Sequence, residues 1–307
     1  MKKFLLLVSL ILFLNQSSLH AQGCSDAGFC TIGALQHQEQ IDSSFKQKAK
    51  LSLSYGFGEQ GTVIFQTIPE VEFSFLKNNS IQFKIPYSFI NGNLGSVNGV
   101  GDIAFSITQT LKSTEKAKLN VTLGTKIATG HANSKLNSRS LPMPYQTSLG
   151  TYDFIAGASY QYKKWNISAG YQGVLSNKNE NGFLRIYWED NADAQKYFES
   201  NLLNRGDDGL LRVERNFSFK KIELSTGLLA IYRLQKDKIT DETGNEIALK
   251  HSDGLTLNLT GSAQYDFSKR MGINLSFGTP LIVREYRADG LTRSLVITGA
   301  FIYHLGK

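Results

Sequence analysis

From Leu255 to Phe267 every second residue is apolar or small: Leu255, Leu257, Leu259, Gly261, Ala263, Tyr265 and Phe267, with Thr256, Asn258, Thr260, Ser262, Gln264 and Asp266 between them. Successive side chains of a strand point to opposite faces, so this period of two predicts one β-strand with two different solvents. Its thirteen residues exceed the usual soluble strand of about five or six. They suit a tilted bilayer crossing, which takes about nine to eleven.

The same alternation recurs from Lys48 onward. Leu51, Leu53, Tyr55 and Phe57 form one apolar face, Val63 to Phe75 the next, and Ile81 to Phe89 a third; Ile103, Phe105 and Ile107 pair with Leu119, Val121 and Leu123. Hairpins follow around Lys163-Lys164, with arms Tyr152–Tyr162 and Trp165–Leu175, and around Lys220-Lys221, with arms Leu211–Phe219 and Ile222–Leu234. After the strand at 255–267 come Ile273–Val283 and Leu295–Leu305, which brings the count to twelve. The connections near 77–80, 113–116, 163–164, 220–221 and 268–270 are short and contain Lys, whereas those expected at 91–99, 130–149, 177–207 and 236–252 are mostly long and polar. Short turns on one rim, long loops on the other and an even strand number are the layout of an outer-membrane barrel.

A soluble sandwich or small barrel would hide the apolar faces inside. Twelve polar faces cannot then pack dry, whereas apolar faces turned to lipid and polar faces turned to a lumen satisfy every strand and leave no open edge in hydrocarbon. The predicted fold is all-β: a transmembrane antiparallel up-and-down barrel with a short N-terminal plug. Tyr160, Tyr162, Trp165, Tyr265 and Phe267 fall near strand ends, where interface aromatics belong. The polar faces carry charges of both signs, and these are the candidate lumen residues: Glu70, Glu72, Lys84, Asp102, Lys126 and Asp153 in the first half, Arg212, Glu214, Glu223, Arg233 and Arg284 in the second. Each serves either as part of a solute path or as an ion pair that holds plug and wall together.

The first residues change the compartment. Lys2 and Lys3, an apolar run from Phe4 to Leu14 and a small residue at Ala21 form a secretory signal peptide, residues 1–21. Residues 22–47 lack alternation and read as a periplasmic plug segment, with the barrel spanning 48–307. Cys24 and Cys30 are the two cysteines, and export favours a disulfide between them. Two alternatives stand beside it: a metal site of both thiols with His37, a weak signature next to clustered zinc ligands, and lipidation of Cys24, which lacks the expected aliphatic residue three positions before it. Without the signal the chain holds 31 basic and 26 acidic residues, or +5. That modest, scattered excess argues against nucleic-acid binding.

For catalysis the nearest candidate is Lys250-His251-Ser252-Asp253-Gly254. Neighbouring residues on a strand point apart, so His251 cannot serve Ser252 as a base across one wall. Gly99-Val100-Gly101 has no helix after it and makes no phosphate loop. No catalytic residue, cofactor or metal is expected.

Several short motifs do fall in an ordered series: Gly99-Val100-Gly101-Asp102-Ile103, then Leu123-Gly124-Thr125-Lys126-Ile127-Ala128-Thr129-Gly130, Leu149-Gly150-Thr151-Tyr152-Asp153 and Asn177-Lys178-Asn179. In this the chain resembles the outer-membrane transporters named for the meta-pathway of phenol degradation, distant relatives of the long-chain fatty-acid transporters. The similarity runs over roughly residues 50 to 307 and is best between 99 and 179. The chain departs from that family in having Ala128 before Thr129-Gly130 and in ending Leu305-Gly306-Lys307. The resemblance implies uptake of small hydrophobic or aromatic solutes past an N-terminal plug. The expected partners are outer-membrane lipid and a small-molecule solute, with the barrel acting as a monomer. The competing functions are a surface barrel that binds a partner through loops 130–149 and 177–207, and an outer-membrane hydrolase.

Overall fold

Alternation of this length leaves each strand with one face that water rejects, and pairing neighbours in register collects those faces on one side of a sheet. In the computed structural model, which describes residues 31–36, 47–76, 78–291 and 293–305, that sheet closes on itself. Its fourteen hydrogen-bonded segments comprise twelve strands, because two strands are each broken once. They are β1 (Gln47–Gly58), β2 (Val63–Leu76), β3 (Asn79–Lys84 with Tyr87–Gly92), β4 (Gly95–Val100 with Ile103–Ser113), β5 (Ala117–Ile127) and β6 (Thr151–Tyr162). The second half is β7 (Trp165–Asn177), β8 (Asp208–Phe219), β9 (Ile222–Arg233), β10 (Gly254–Asp266), β11 (Met271–Ile282) and β12 (Arg293–Leu305). Every strand is antiparallel to its chain neighbours, and β1 pairs with both β2 and β12, from Leu51↔Pro69 on one side to Leu51↔Phe301 on the other. The protein is a closed up-and-down barrel of twelve antiparallel strands.

The burial pattern follows the sequence parity. On β10, Thr256 and Asn258 are 1% exposed while Leu255 is 37% exposed; on β1, Ser52 and Ser54 are buried between exposed Leu51, Leu53 and Tyr55. The barrel therefore presents its apolar side chains outward and its polar ones to the lumen, the inverse of a soluble core. Tyr160, Tyr162, Trp165, Tyr265 and Phe267 are all exposed at the short-turn rim. There Tyr160 stacks on Tyr162 at 6.4 Å and Arg215 lies over the Trp165 ring at 5.4 Å.

One connection differs from the sequence expectation. Residues 91–99 are not a loop: Tyr87–Gly92 and Gly95–Val100 pair as a hairpin that turns at Asn93-Leu94. The two breaks explain why this escapes a pattern search. Pro86 cannot donate to the ladder, and opposite it the strand phase slips at Gly101-Asp102, where the Gly101 amide bonds the Pro86 carbonyl at 2.8 Å. Beyond the slip Val97 faces the inside and Asn98 the outside, the reverse of the parity in the lower segment of β4.

The long loops 128–150, 178–207, 234–253 and 283–291 fold over one mouth of the barrel as a lid with its own core. Ile64 and Ile90 of the wall pack with Leu94, Leu141, Tyr145, Phe183, Trp188 and Tyr197, and a second cluster joins Met143, Leu149, Leu203, Ile239, Leu249 and Leu291. Helical structure among the described residues is confined to short 3₁₀ turns, such as Met143–Tyr145 and Arg185–Trp188.

Of the N-terminal segment, Thr31–Gln36 is described and lies inside the lumen, where Ile32, Ala34 and Leu35 are buried. The expected signal peptide and Cys24, Cys30 and His37 lie outside the described residues.

Candidate functional site

The inward parity of the strands decides which charges can meet in the lumen, and the register decides which do. Lys126 on β5 faces Asp153 on β6 directly across the ladder, and its Nζ stands 3.2 Å from Asp153 and 3.0 Å from Asp102. Arg205, from the loop before β8, approaches Asp153 at 3.6 Å and pairs with Asp208. Asp208 in turn accepts from Arg233 at 2.7 Å. Arg233 also pairs with Asp237 and, at 2.8 Å, with Asp289, and Arg284 reaches Asp289 at 2.9 Å and Asp237 at 3.5 Å. The result is one continuous chain of nine buried charges that ties β4, β5, β6, β8 and β9 to the lid.

Burial alone would push the Asp289 carboxyl up, but Arg284, Arg233 and Arg205 outweigh it and hold Asp289 well below the ordinary carboxylate range. Losing one member of a buried charge network of this kind leaves its partners as uncompensated charges.

The structure thus brings Asp102, Lys126, Asp153, Arg233 and Arg284 together and adds Arg205, Asp208, Asp237 and Asp289. Three of those four lie in loops, where strand parity is silent; Asp208 begins β8, next to a polar insertion. A second group sits deeper, near the N-terminal segment. Glu70 and Lys84 face each other across β2 and β3 at 3.3 Å, and Gln82 donates to Glu70 at 2.6 Å. Glu72 pairs with Lys48 at 2.8 Å. Arg212 and Glu214 share the inward face of β8 at 4.0 Å, with Asn166 donating to Glu214 at 3.4 Å. Glu223, at the short-turn end of β9, faces inward by parity.

Thr31–Gln36 leans on one wall, formed by β4 to β7. The Gly33 amide donates to Gln82 at 2.8 Å and the Ala34 amide to Thr122 Oγ1 at 2.8 Å, Ser168 donates to the Ala34 carbonyl at 3.3 Å, and Lys84 donates to the Thr31 carbonyl. Between this segment and the opposite wall lies a cavity of about 210 Å³. Its polar lining is Ser52, Ser54, Gln66, Asn258, Thr260, Asn274 and Thr298, with Lys50, Lys84 and Arg212 set against Glu70, Asp102 and Glu214. Its apolar lining is Ile68, Pro86, Ala104, Leu229, Val296 and Ala300. A smaller cavity under the lid, about 30 Å³, shares Gln66 and Asp102 with it.

The sequence motifs converge where lid meets lumen. The Leu149 amide points to Asp102 at 3.4 Å, Thr151 receives Lys126 at 3.2 Å, and Thr129 donates to the Gly101 carbonyl at 2.8 Å. Lys178 donates its amide to the Gly150 carbonyl at 2.7 Å, and Asn179 donates to the Leu149 carbonyl at 2.8 Å. Gly150 has φ +70, and a Cβ there would meet the Asn179 backbone at 2.7 Å, so only glycine fits this crossing.

His251 and Ser252 do not form a catalytic pair. The Ser252 hydroxyl is buried, donating to the Leu249 carbonyl at 2.8 Å and accepting the Asp237 amide at 2.8 Å, while His251 stands exposed 3.8 Å from Glu285.

No protein-family model matches the chain, and no curated protein matches it in sequence. Among solved structures, an outer-membrane channel from Pseudomonas putida F1 superposes with a TM-score of 0.61 at 12% identity, covering 88% of this chain and all of that one. The NanC porin follows at a TM-score of 0.49 and 8% identity, with 84% and 100% covered, and the CymD monoaromatic hydrocarbon channel at 0.44 and 10%, with 94% and 95% covered. At these identities the likeness is one of architecture: the chain shares its fold with the Pseudomonas putida outer-membrane channel.

Proposed function

We propose that this chain is an outer-membrane channel that passes small solutes with an apolar body and a polar group, acting as a monomer, with residues 22–47 as a plug on the short-turn side. The reading rests above all on the cavity between Thr31–Gln36 and the far wall, which has an apolar patch and a polar patch in one space. Its size favours a single-ring solute, since a cavity of about 150 Å³ is enough to hold benzene. The outward apolar faces and rim aromatics support a bilayer as the solvent of the barrel, and the likeness of fold to an outer-membrane channel supports the outer membrane in particular.

The described part of the plug, residues 31–36, is held by hydrogen bonds with Gln82, Thr122, Ser168 and Lys84 and by burial of Ile32 and Leu35. Reconstituting the full chain and a form lacking residues 22–46 into liposomes tests the proposal. The shortened form should admit arabinose or glycine faster, and a failure of both forms to raise permeability to any solute would rule out a channel.

A further inference from the structure

The two ends of the barrel carry different charge. In the lid loops 128–150, 178–207, 234–253 and 283–291, 11 basic residues stand among 13 acidic ones. Exposed cations there have acidic partners, as Arg139 has Asp190, Lys196 has Asp193 at 2.7 Å and Lys238 has Glu246 at 2.7 Å. At the short-turn rim, segments 112–118, 163–164, 215–223 and 266–270 hold 10 basic residues and 3 acidic ones. All of those basic side chains are exposed, and among the described residues none of them is ion-paired.

The backbone gathers these cations into an arc. The Lys163 amide donates to the Lys116 carbonyl at 2.8 Å and the Asn216 amide to the Lys164 carbonyl at 2.7 Å, so the β4–β5 and β6–β7 turns lie side by side with the end of β8. Lys220 and Lys221 then make the β8–β9 turn. Outward-facing aromatics seat the cations: Arg215 is the register partner of Trp165, and its guanidinium lies 5.4 Å from that ring and 5.3 Å from Phe217. Lys163 stands 5.3 Å over Tyr162. Trp and Tyr sit at the headgroup level of a bilayer, so a cation resting on them is at the depth of the lipid phosphates, where long stems also let lysines reach.

We infer that the arc of Lys116, Lys163, Lys164, Arg215, Lys220 and Lys221 is a binding surface for anionic glycerophospholipid, with one headgroup phosphate held between Lys164 and Arg215 beside Trp165. Arginine matches a phosphate with paired N–H donors. A zwitterionic lipid brings its own ammonium to its phosphate, so the arc favours a lipid such as phosphatidylglycerol that brings none. The surface belongs to the outer wall of the barrel and is independent of what the lumen passes.

Trp165 is a native reporter of this surface, since Trp188 is buried in the lid and adds a constant background. The full chain is reconstituted at low salt into phosphatidylcholine vesicles carrying an equal mole fraction of either brominated phosphatidylglycerol or brominated phosphatidylcholine, and tryptophan quenching is compared. Each Lys or Arg near a membrane surface is worth about a fivefold preference for anionic lipid, so the wild-type association constant at Trp165 should favour phosphatidylglycerol by at least that factor. The double variant Lys164→Gln, Arg215→Gln should bring the ratio near unity, whereas Lys269→Gln, Arg270→Gln, on a turn outside the arc, should leave it in place. Equal quenching by the two lipids in wild type overturns the surface and leaves the barrel in its membrane. An equal loss in both double variants overturns the placement of the phosphate between Lys164 and Arg215. Quenching by neither lipid overturns the surface together with the lipid-facing reading of this wall. Because the wild-type ratio is decisive by itself, a variant that fails to fold, seen as lost heat-modifiable gel mobility, does not remove the test.

Discussion

Leu35 occupies the space that a side chain at Gly157 would need: a Cβ on Gly157 would lie 2.6 Å from Leu35 Cδ2. Gly170, on the next strand, stands 2.8 Å from the same side chain by the same measure. The two glycines form a notch in the β6–β7 wall, and Leu35 is the part of the N-terminal segment that fills it. Gly157→Ala should therefore displace Leu35, while also pressing on the Ala169 carbonyl at 2.9 Å, and Leu35→Ala should weaken the seat by roughly 2–5 kcal/mol, the usual loss for a buried leucine. Planar-bilayer recordings should show larger or more frequent open events for both variants. Unchanged recordings from both would argue that the segment does not gate.

Arg233 is the hub of the charge chain, with Asp208, Asp237 and Asp289 all on its guanidinium. Arg233→Met fits a similar length but leaves three carboxylates facing one another. Removing one partner of a buried pair costs about 3–5 kcal/mol, so the thermal transition of the lid should fall by several degrees. The exposed pair Lys238–Glu246, at 2.7 Å, is a surface bridge worth about 0–1 kcal/mol. Lys238→Met should leave the same transition almost unmoved.

The depressed Asp289 carboxyl fixes the sign of a pH effect. A group whose folded value lies below its unfolded one adds stability that is complete above the ordinary aspartate value, about 3.9, and is lost as pH falls through the depressed one. The difference in thermal midpoint between wild type and Asp289→Asn should thus stay constant from pH 8 to pH 5 and shrink only in stronger acid. A difference that changes between pH 8 and pH 5 would contradict this assignment of the network.

Leu275, 57% exposed at the middle of β11, separates a membrane barrel from a soluble one. At a lipid-facing midplane position Arg costs about 2–4 kcal/mol, whereas on a water-facing surface it is close to neutral. Folding of Leu275→Arg into phospholipid vesicles, followed by urea titration, should show that loss. Wild-type stability for the variant would place this face in water.

Much of the barrel was legible because each strand declares its own parity. The order β1 to β12, the outward aromatics and the inward positions of Glu70, Lys126 and Asp153 all follow from a period of two and short turns. Pairing was less legible, since Lys126 meets Asp153 only through the β5–β6 register. The lid was hidden for a different reason: Leu141, Tyr145, Phe183, Trp188 and Tyr197 show no period, sit in loops and short 3₁₀ turns, and form a core only when distant segments meet. Arg205, Asp237 and Asp289 escaped with them. Residues 91–99 of the hairpin read as a loop because the slip at Gly101-Asp102 reverses the phase of its second arm.

The pairing of β1 with β12 also bears on how the chain comes to be folded. Leu51 and Phe301 are register partners although almost the whole chain runs between them, and contacts so distant in sequence form late because their loop entropy must be met first. Until they form, the molecule is a curved ribbon with two live edges, each a template for a foreign strand. Losing β12 would not leave a smaller barrel. It would leave an unsealed sheet, so the last strand decides whether the other eleven become a protein or an aggregate.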